Sequence, residues 1–142
     1  ALIIDCHSYP NEPLPCDQYP TIFRPDICIG THEFHTPATL ANFTYYFFRD
    51  RGYTVAFNLP YRGCMVPAAH YGKNERVYSV MLEVNRNVYK DSLEPIRGVI
   101  SDWLCQISKK AAALDELLDF DEQMTQMFIE GFRWQAEGDV EK

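Results

Sequence analysis

Four short polar clusters interrupt otherwise apolar stretches of this chain and hold its candidates for chemistry. They are Asp5-Cys6-His7-Ser8, Thr31-His32-Glu33-Phe34-His35-Thr36, Asn58-Leu59-Pro60-Tyr61-Arg62-Gly63 and Glu83-Val84-Asn85-Arg86. His7 follows the apolar run Ala1-Leu2-Ile3-Ile4, which reads as a buried strand delivering an imidazole to the end of a sheet. A neutral imidazole there is an eligible metal ligand or general base, with Asp5 or a backbone carbonyl to orient it. The structural alternative is a partly buried histidine bonded to a loop. Glu83 follows Val80-Met81-Leu82, a run that should be buried. A carboxylate in that setting has to be paired, metal-bound or functional, and an ion pair with Arg86 or Arg62 is the plain alternative. Arg62 and Arg86 suit a carboxylate, because the guanidinium fork donates to two oxygens at once. His32 and His35 precede a helix cap and lie in a loop with no fixed chelating geometry; His35 is the better placed of the two as a substrate contact. Cys6 is the one cysteine positioned as a nucleophile, and its expected direction into the sheet counts against it.

The elements that must carry these residues alternate between strand and helix. After the first strand, residues 9 to 25 hold five prolines and read as an irregular loop. Ile27-Cys28-Ile29 is a short strand ending at Gly30. A helix follows with Thr36 as N-cap, Pro37 at the first helical position and Gly52 as terminator. Tyr53 to Asn58 reads as a third strand, and Arg76 to Val84 as the strongest strand in the chain. Two amphipathic helices are predicted at the end, Leu93 to Leu118 and Asp121 to Gln135, before a polar tail. This order predicts an α/β fold with a mixed sheet flanked by helices, the whole of 1–142 forming one unit.

Composition narrows the partners. The 142 residues carry a formal charge of -7, which argues against nucleic acid, since phosphate binding needs a basic face. No apolar stretch approaches the roughly 20 residues of a membrane span, and no secretory signal is visible. Five scattered cysteines with no C-x-x-C pair point to reduced thiols and a cytoplasmic protein. Asn42-Phe43-Thr44 fits a glycosylation sequon but falls inside a helical pattern.

Taken together, the clusters resemble the N-formylglutamate amidohydrolase family. The segments that carry the resemblance are Ile4 to Pro10, Pro25 to Thr31, Gly52 to Val55 with Asn58 to Gly63, and Met81 to Arg86 with Val88-Tyr89. They cover residues 1 to 95 or so, and the last helices match no motif. The resemblance implies part of a zinc-carboxypeptidase or phosphorylase/hydrolase-like three-layer fold. It further implies zinc as cofactor, His7 as a metal ligand and Glu83 as the catalytic general base and acid. The substrate implied is a small N-acyl amino acid, gripped by Arg62 and Arg86 with Asn58 and Asn85 as lesser contacts. A zinc ion lowers the pKa of its bound water and polarises the formyl carbonyl. Glu83 then moves the proton to the leaving nitrogen, giving formate and glutamate.

One feature of the family pattern is missing. The resemblance calls for two zinc ligands from an upstream His-x-x-Glu segment, and none of the four histidines here begins that spacing. With no initiator Met and His7 only seven residues in, the chain reads as the C-terminal portion of a longer amidohydrolase. The alternatives are a truncated homologue that binds a carboxylate without catalysis, or a domain that completes its site with another chain. A homo-oligomer, or association with a missing N-terminal half across an unpaired sheet edge, follows from the same shortage.

Overall fold

Alternating apolar and polar residues build the first strand longer than the apolar run alone suggests. In the computed structural model, which describes residues 1–17 and 23–138 and side chains up to 119 with that of 123, β1 runs Leu2–Tyr9. Asp5, His7 and Tyr9 share one face of it and Ile4, Cys6 and Ser8 the other. His7 therefore sits within the strand and not beyond its end. The remaining strands are β2 (Ile27–Gly30), β3 (Val55–Phe57) and β4 (Tyr78–Asn85). They form one sheet in the order β1-β4-β2-β3. β4 is wholly buried and lies between a parallel partner, β1, and an antiparallel one, β2; β3 pairs parallel to β2. The sheet is thus mixed, as expected, but its two halves run in opposite directions.

Helix α1 spans Ala38–Arg49 and α2 spans Glu94–Gly138, with a short 3-10 turn, Arg86–Tyr89, after β4. Thr36 does not cap α1. Pro37 holds the cap position with no side-chain bond, and the Thr36 hydroxyl donates instead to the Ser79 carbonyl at 2.6 Å. Asp50 closes α1, and Gly52 follows at φ 88°, a left-handed conformation glycine adopts without steric cost. The two predicted C-terminal helices are one continuous helix. No Gly or Pro occurs between residues 99 and 130, so nothing in the backbone chemistry stops it near Asp119. The side chains of Met124, Met127, Phe128 and Phe132, on which a separate last helix rested, lie outside the described residues, as do 139–142 and Pro20 of the proline-rich loop. The chain divides into two compact units, Ala1–Ala111 and Ala112–Lys142, and the sheet lies in the first.

The core of the first unit joins one sheet face to the helices. Ile27, Ile29, Val80 and Leu82 are at most 1% exposed, as are Leu40, Phe48, Trp103 and Ile107. Each such side chain removed from water stabilises the fold by about 1.5–3 kcal/mol. The Phe48 and Trp103 rings meet at 5.7 Å between centroids, and the Trp103 indole N–H donates to the Thr44 hydroxyl at 3.2 Å. The opposite face carries Asp5, His7, Cys28, Met81 and Glu83, and the segment from Tyr61 to Met65 crosses it. Met65 N–H donates to Asp5 Oδ2 at 3.2 Å, Ser79 Oγ donates to the Met65 carbonyl at 2.7 Å, and the Cys28 thiol points to the Tyr61 carbonyl at 3.2 Å.

Candidate active site

The parallel register of β1 and β4 sets His7 directly beside Glu83, and the antiparallel register of β2 sets Cys28 on its other side. Side chains opposite one another on neighbouring strands share a face, so this rung places an imidazole, a carboxyl and a thiol in a row. Two groups that the sequence keeps 76 residues apart are brought together by backbone pairing alone.

Each member is tuned by its neighbours. His7 Nε2 and Asp5 Oδ1 are 2.6 Å apart, and Asp5 Oδ2 is held by Met65 N–H. With the proton on Nε2, directed at Asp5, the lone pair of Nδ1 is the donor the ring presents; a carboxylate–histidine pair is the arrangement that orients metal-bound imidazoles. Glu83 is 7% exposed, and its Oε2 has no hydrogen-bond partner among the described residues. Burial raises its pKa above the ordinary glutamate range; His7 and Arg86 pull it down and Asp5 pushes it up. A carboxyl whose proton is held more tightly than usual suits proton transfer in catalysis. The Cys28 thiol is pushed up to about 11 by burial and stays protonated, which removes it as a nucleophile. Cys6 is exposed on the other face from His7, and partial burial and Asp5 raise its thiol too.

The Glu83 shift has a consequence for stability. A carboxyl whose folded pKa is raised binds its proton more tightly folded than unfolded, so it stabilises the fold at low pH. That contribution is complete below the unfolded glutamate value and is lost as pH rises through the folded one. In the metal-free chain, the urea midpoint of the wild type is expected to fall relative to Glu83→Gln as pH rises from about 4 upward. Parallel profiles for the two proteins would show that Glu83 is not desolvated.

The other expected site residues divide between the two ends of the sheet. His35 is fully buried: its Nδ1–H donates to the Val77 carbonyl at 2.7 Å and its Nε2 accepts from Gly72 N–H at 2.8 Å. Both ring nitrogens are spent on the core, so His35 has none left for a substrate. Asn85 is 1% exposed; its Oδ1 caps the 3-10 turn through Asn87 N–H and its Nδ2 donates to Asn11 Oδ1 at 2.9 Å. Asn58 sits at φ 53° at the opposite end of the sheet, where Oδ1 accepts from Thr31 N–H and Gly63 N–H and Nδ2 donates to Thr31 Oγ1. Arg86 is exposed near the Glu83 end, its Nε 3.3 Å from Ser8 Oγ, and Arg62 is exposed beyond β3. Asn58 and Thr31 thus lie toward one end of the sheet and Asp5, His7, Glu83, Asn85 and Arg86 toward the other, while Arg62 belongs to the Tyr61–Met65 segment that crosses the face between them. An open groove of about 250 Å³ lined by Thr31, His32, Glu33, Thr36 and Phe57 lies at the Thr31 end. It contains no acid–base pair of this kind, and chemistry is better placed at the Glu83 rung.

Sequence reasoning did not single out Arg24 or Asp17, and met Tyr61 only as a member of the third cluster. Arg24 and Asp17 form an ion pair with side chains 1% and 4% exposed, and the Tyr61 hydroxyl donates to Asp17 Oδ1 at 2.8 Å. The Leu14 N–H, then Arg24, hold the Asp17 carboxyl below the usual range. The one available signal was Arg24 standing immediately before Pro25-Asp26 and a buried strand.

For a metal, the fit is partial. His7 offers an oriented imidazole, but the described residues contain no group of three His, Cys, Asp or Glu side chains placed to hold an ion. Catalytic zinc needs three protein ligands, so these residues do not by themselves fit one. Among the described residues no helix is long and apolar enough to cross a membrane.

Comparison with known proteins agrees with this architecture. The chain is similar in fold to the crystal structure of N-formylglutamate amidohydrolase from Ralstonia eutropha JMP134, with TM-score 0.53 and 24% identity. The match covers 78% of this chain and 43% of that one, so the chain spans less than half of its neighbour's length. No curated protein matches. A family model described as N-formylglutamate amidohydrolase matches residues 1–90, the stretch that contains β1 to β4 and the whole Asp5–His7–Glu83 rung. The chain belongs to the N-formylglutamate amidohydrolase family.

Proposed function

We propose that this chain carries the acid–base half of an amidohydrolase that cleaves N-formylglutamate or a closely related N-acyl amino acid. The observation that supports it is Glu83: a buried carboxyl with one unpartnered oxygen, its pKa raised, in register beside an imidazole that Asp5 orients. In the reaction, the oxygen of water bonds to the formyl carbon and the carbon–nitrogen bond breaks. Glu83 takes a proton from the water and returns it to the leaving nitrogen, so formate and the free amino acid result. Were zinc bound here, His7 would supply one of its ligands, and the metal would polarise the formyl carbonyl and ease ionisation of the attacking water. Arg86, exposed beside the rung, would attract a carboxylated substrate. A cytoplasmic setting accords with five free cysteines.

The test is formate release from N-formyl-L-glutamate with added zinc, together with zinc retained after desalting, in wild type and His7→Ala. Formate release and zinc retention are both expected to require His7. A folded wild-type protein that retains zinc at His7 yet releases no formate would sink the hydrolase reading. The second reading is a carboxylate-binding module without catalysis, in keeping with the exposed Arg86 beside the rung. It predicts binding of the amino acid with no zinc and no dependence on Glu83.

A further inference from the structure

Arg24 carries recognition capacity that the fold leaves unused. Nη2 pairs with Asp17 and the Tyr61 hydroxyl stands beside the guanidinium, but Nε and Nη1 are buried with no acceptor in hydrogen-bond geometry among the described residues. A guanidinium is always charged, so one Nε hydrogen and two Nη1 hydrogens are donors shut away from water. Native proteins leave few such groups orphaned, and an orphan commonly marks a ligand or a catalytic role. An arginine can serve two carboxylates at once, and Asp17 occupies only one side of this one.

Its position ties it to the Glu83 rung. The Asn85 side-chain amide donates to the Pro25 carbonyl at 3.3 Å and the Arg24 carbonyl at 3.5 Å, and the Tyr9 hydroxyl donates to Pro25 as well. Tyr9 and Asn85 are themselves a register pair, two residues beyond His7 and Glu83 on the same face. Two strand residues span about 6.6 Å, within the reach of a short carboxylic acid. The guanidinium carbon lies 5.8 Å from the Tyr9 ring centroid and 6.0 Å from that of Tyr61. Tyr61 is the half-buried wall of this box, with its hydroxyl held by Asp17.

We propose that the unpartnered Nε and Nη1 donors of Arg24 bind a carboxylate of the amino acid held at the Glu83 rung, making Arg24 the specificity-determining residue. This rests on the amidohydrolase reading for the identity of the ligand. Arg62 and Arg86, both exposed, keep their solvation and discriminate less.

The experiment is calorimetric titration of the full chain with L-glutamate, 4-aminobutanoate (no α-carboxylate) and 2-aminobutanoate (no side-chain carboxylate). Wild type, Arg24→Lys and Asp17→Asn are compared, with urea unfolding as the fold check. Arg24→Lys is expected to weaken L-glutamate at least tenfold and to leave one of the two monocarboxylates bound as in the wild type. Asp17→Asn keeps the preference for L-glutamate, because the Arg24 donors remain. The proposal is overturned by a wild type that does not bind L-glutamate, or by Arg24→Lys binding it as tightly as wild type. It is overturned equally if Asp17→Asn loses L-glutamate as fully as Arg24→Lys, since Arg24 then only fastens its loop. Formate release separates the two readings. Arg24-dependent binding with no formate upholds this inference and defeats the hydrolase reading, whereas formate release undiminished in Arg24→Lys does the reverse.

Discussion

Replacing Glu83 by glutamine is expected to lower formate release from N-formyl-L-glutamate by about 10²–10⁴-fold, the range for loss of a positioned acid–base group. The same substitution is expected to raise stability once pH exceeds the folded pKa of Glu83, where the wild type has to hold a buried charge. The two effects have one cause. Glu83 is 7% exposed and its Oε2 has no partner among the described residues, so its charged form is held at a cost that a neutral amide of the same shape avoids. A structural role gives the opposite sign. Had Arg86 neutralised Glu83 in a buried ion pair, the amide would leave a buried guanidinium uncompensated and destabilise the fold by several kcal/mol. Arg86 is exposed, with its Nε directed at Ser8. Formate assays and urea midpoints on the same two proteins check both halves, and a Glu83→Gln protein that is less stable than wild type defeats the argument. Such an opposition between activity and stability is what a group retained for chemistry produces.

How much of this was legible beforehand depended on the range of the interactions involved. The strands over Ile27–Gly30 and Tyr78–Asn85 and the helix over Ala38–Arg49 follow from local pattern, and all three are present. Glu83 stood out because a carboxylate after Val80-Met81-Leu82 is anomalous in any buried setting. What local pattern could not supply was register and direction. That His7 pairs with Glu83, and that β2 runs against β4, are properties of hydrogen bonds between strands far apart in sequence, and a single site built from all four clusters would need those directions to agree. They do not, and Asn58 ends up locking a turn at the far end. His35 shows a different limit. Histidine reads as polar, and only the positions of Val77 and Gly72 show that its two nitrogens are consumed in the core. The expected break between a helix ending at Leu118 and one starting at Asp121 has no Gly or Pro to enforce it, and the helix runs on. Arg24 was obscured because its partner, Asp17, is held by loop geometry that has no period to read.

Gly30→Ala is expected to destabilise the protein by roughly 3 kcal/mol or more, an effect on the scale of a large core truncation. The reason is space and not conformational freedom. A Cβ at Gly30 would stand 2.0 Å from the Gly63 carbonyl oxygen, 2.5 Å from Met81 Cε and 2.8 Å from Met81 Cβ. Met81 can swing its flexible end away, but the Gly63 carbonyl belongs to a backbone segment that is tied down along its length. Gly63 N–H is held by Asn58 Oδ1 at 3.2 Å, the Tyr61 carbonyl accepts from the Cys28 thiol, and Met65 N–H donates to Asp5. Relief therefore means lifting the segment that crosses the functional face, which releases the Asp5 carboxylate that orients His7. The loss of stability should come with a loss of formate release exceeding what the unfolded fraction explains. Gly72→Ala is the control: at φ 64° it meets nothing within 4 Å, so its cost is confined to backbone strain of about 1–3 kcal/mol and it leaves Asp5 and His7 in place. Urea midpoints and formate assays on the two variants decide the matter. A Gly30→Ala protein as stable as wild type would mean that β2 and the Tyr61–Met65 crossing do not approach as closely as the fold requires. A protein destabilised but fully active per folded molecule would detach the crossing segment from the orientation of His7.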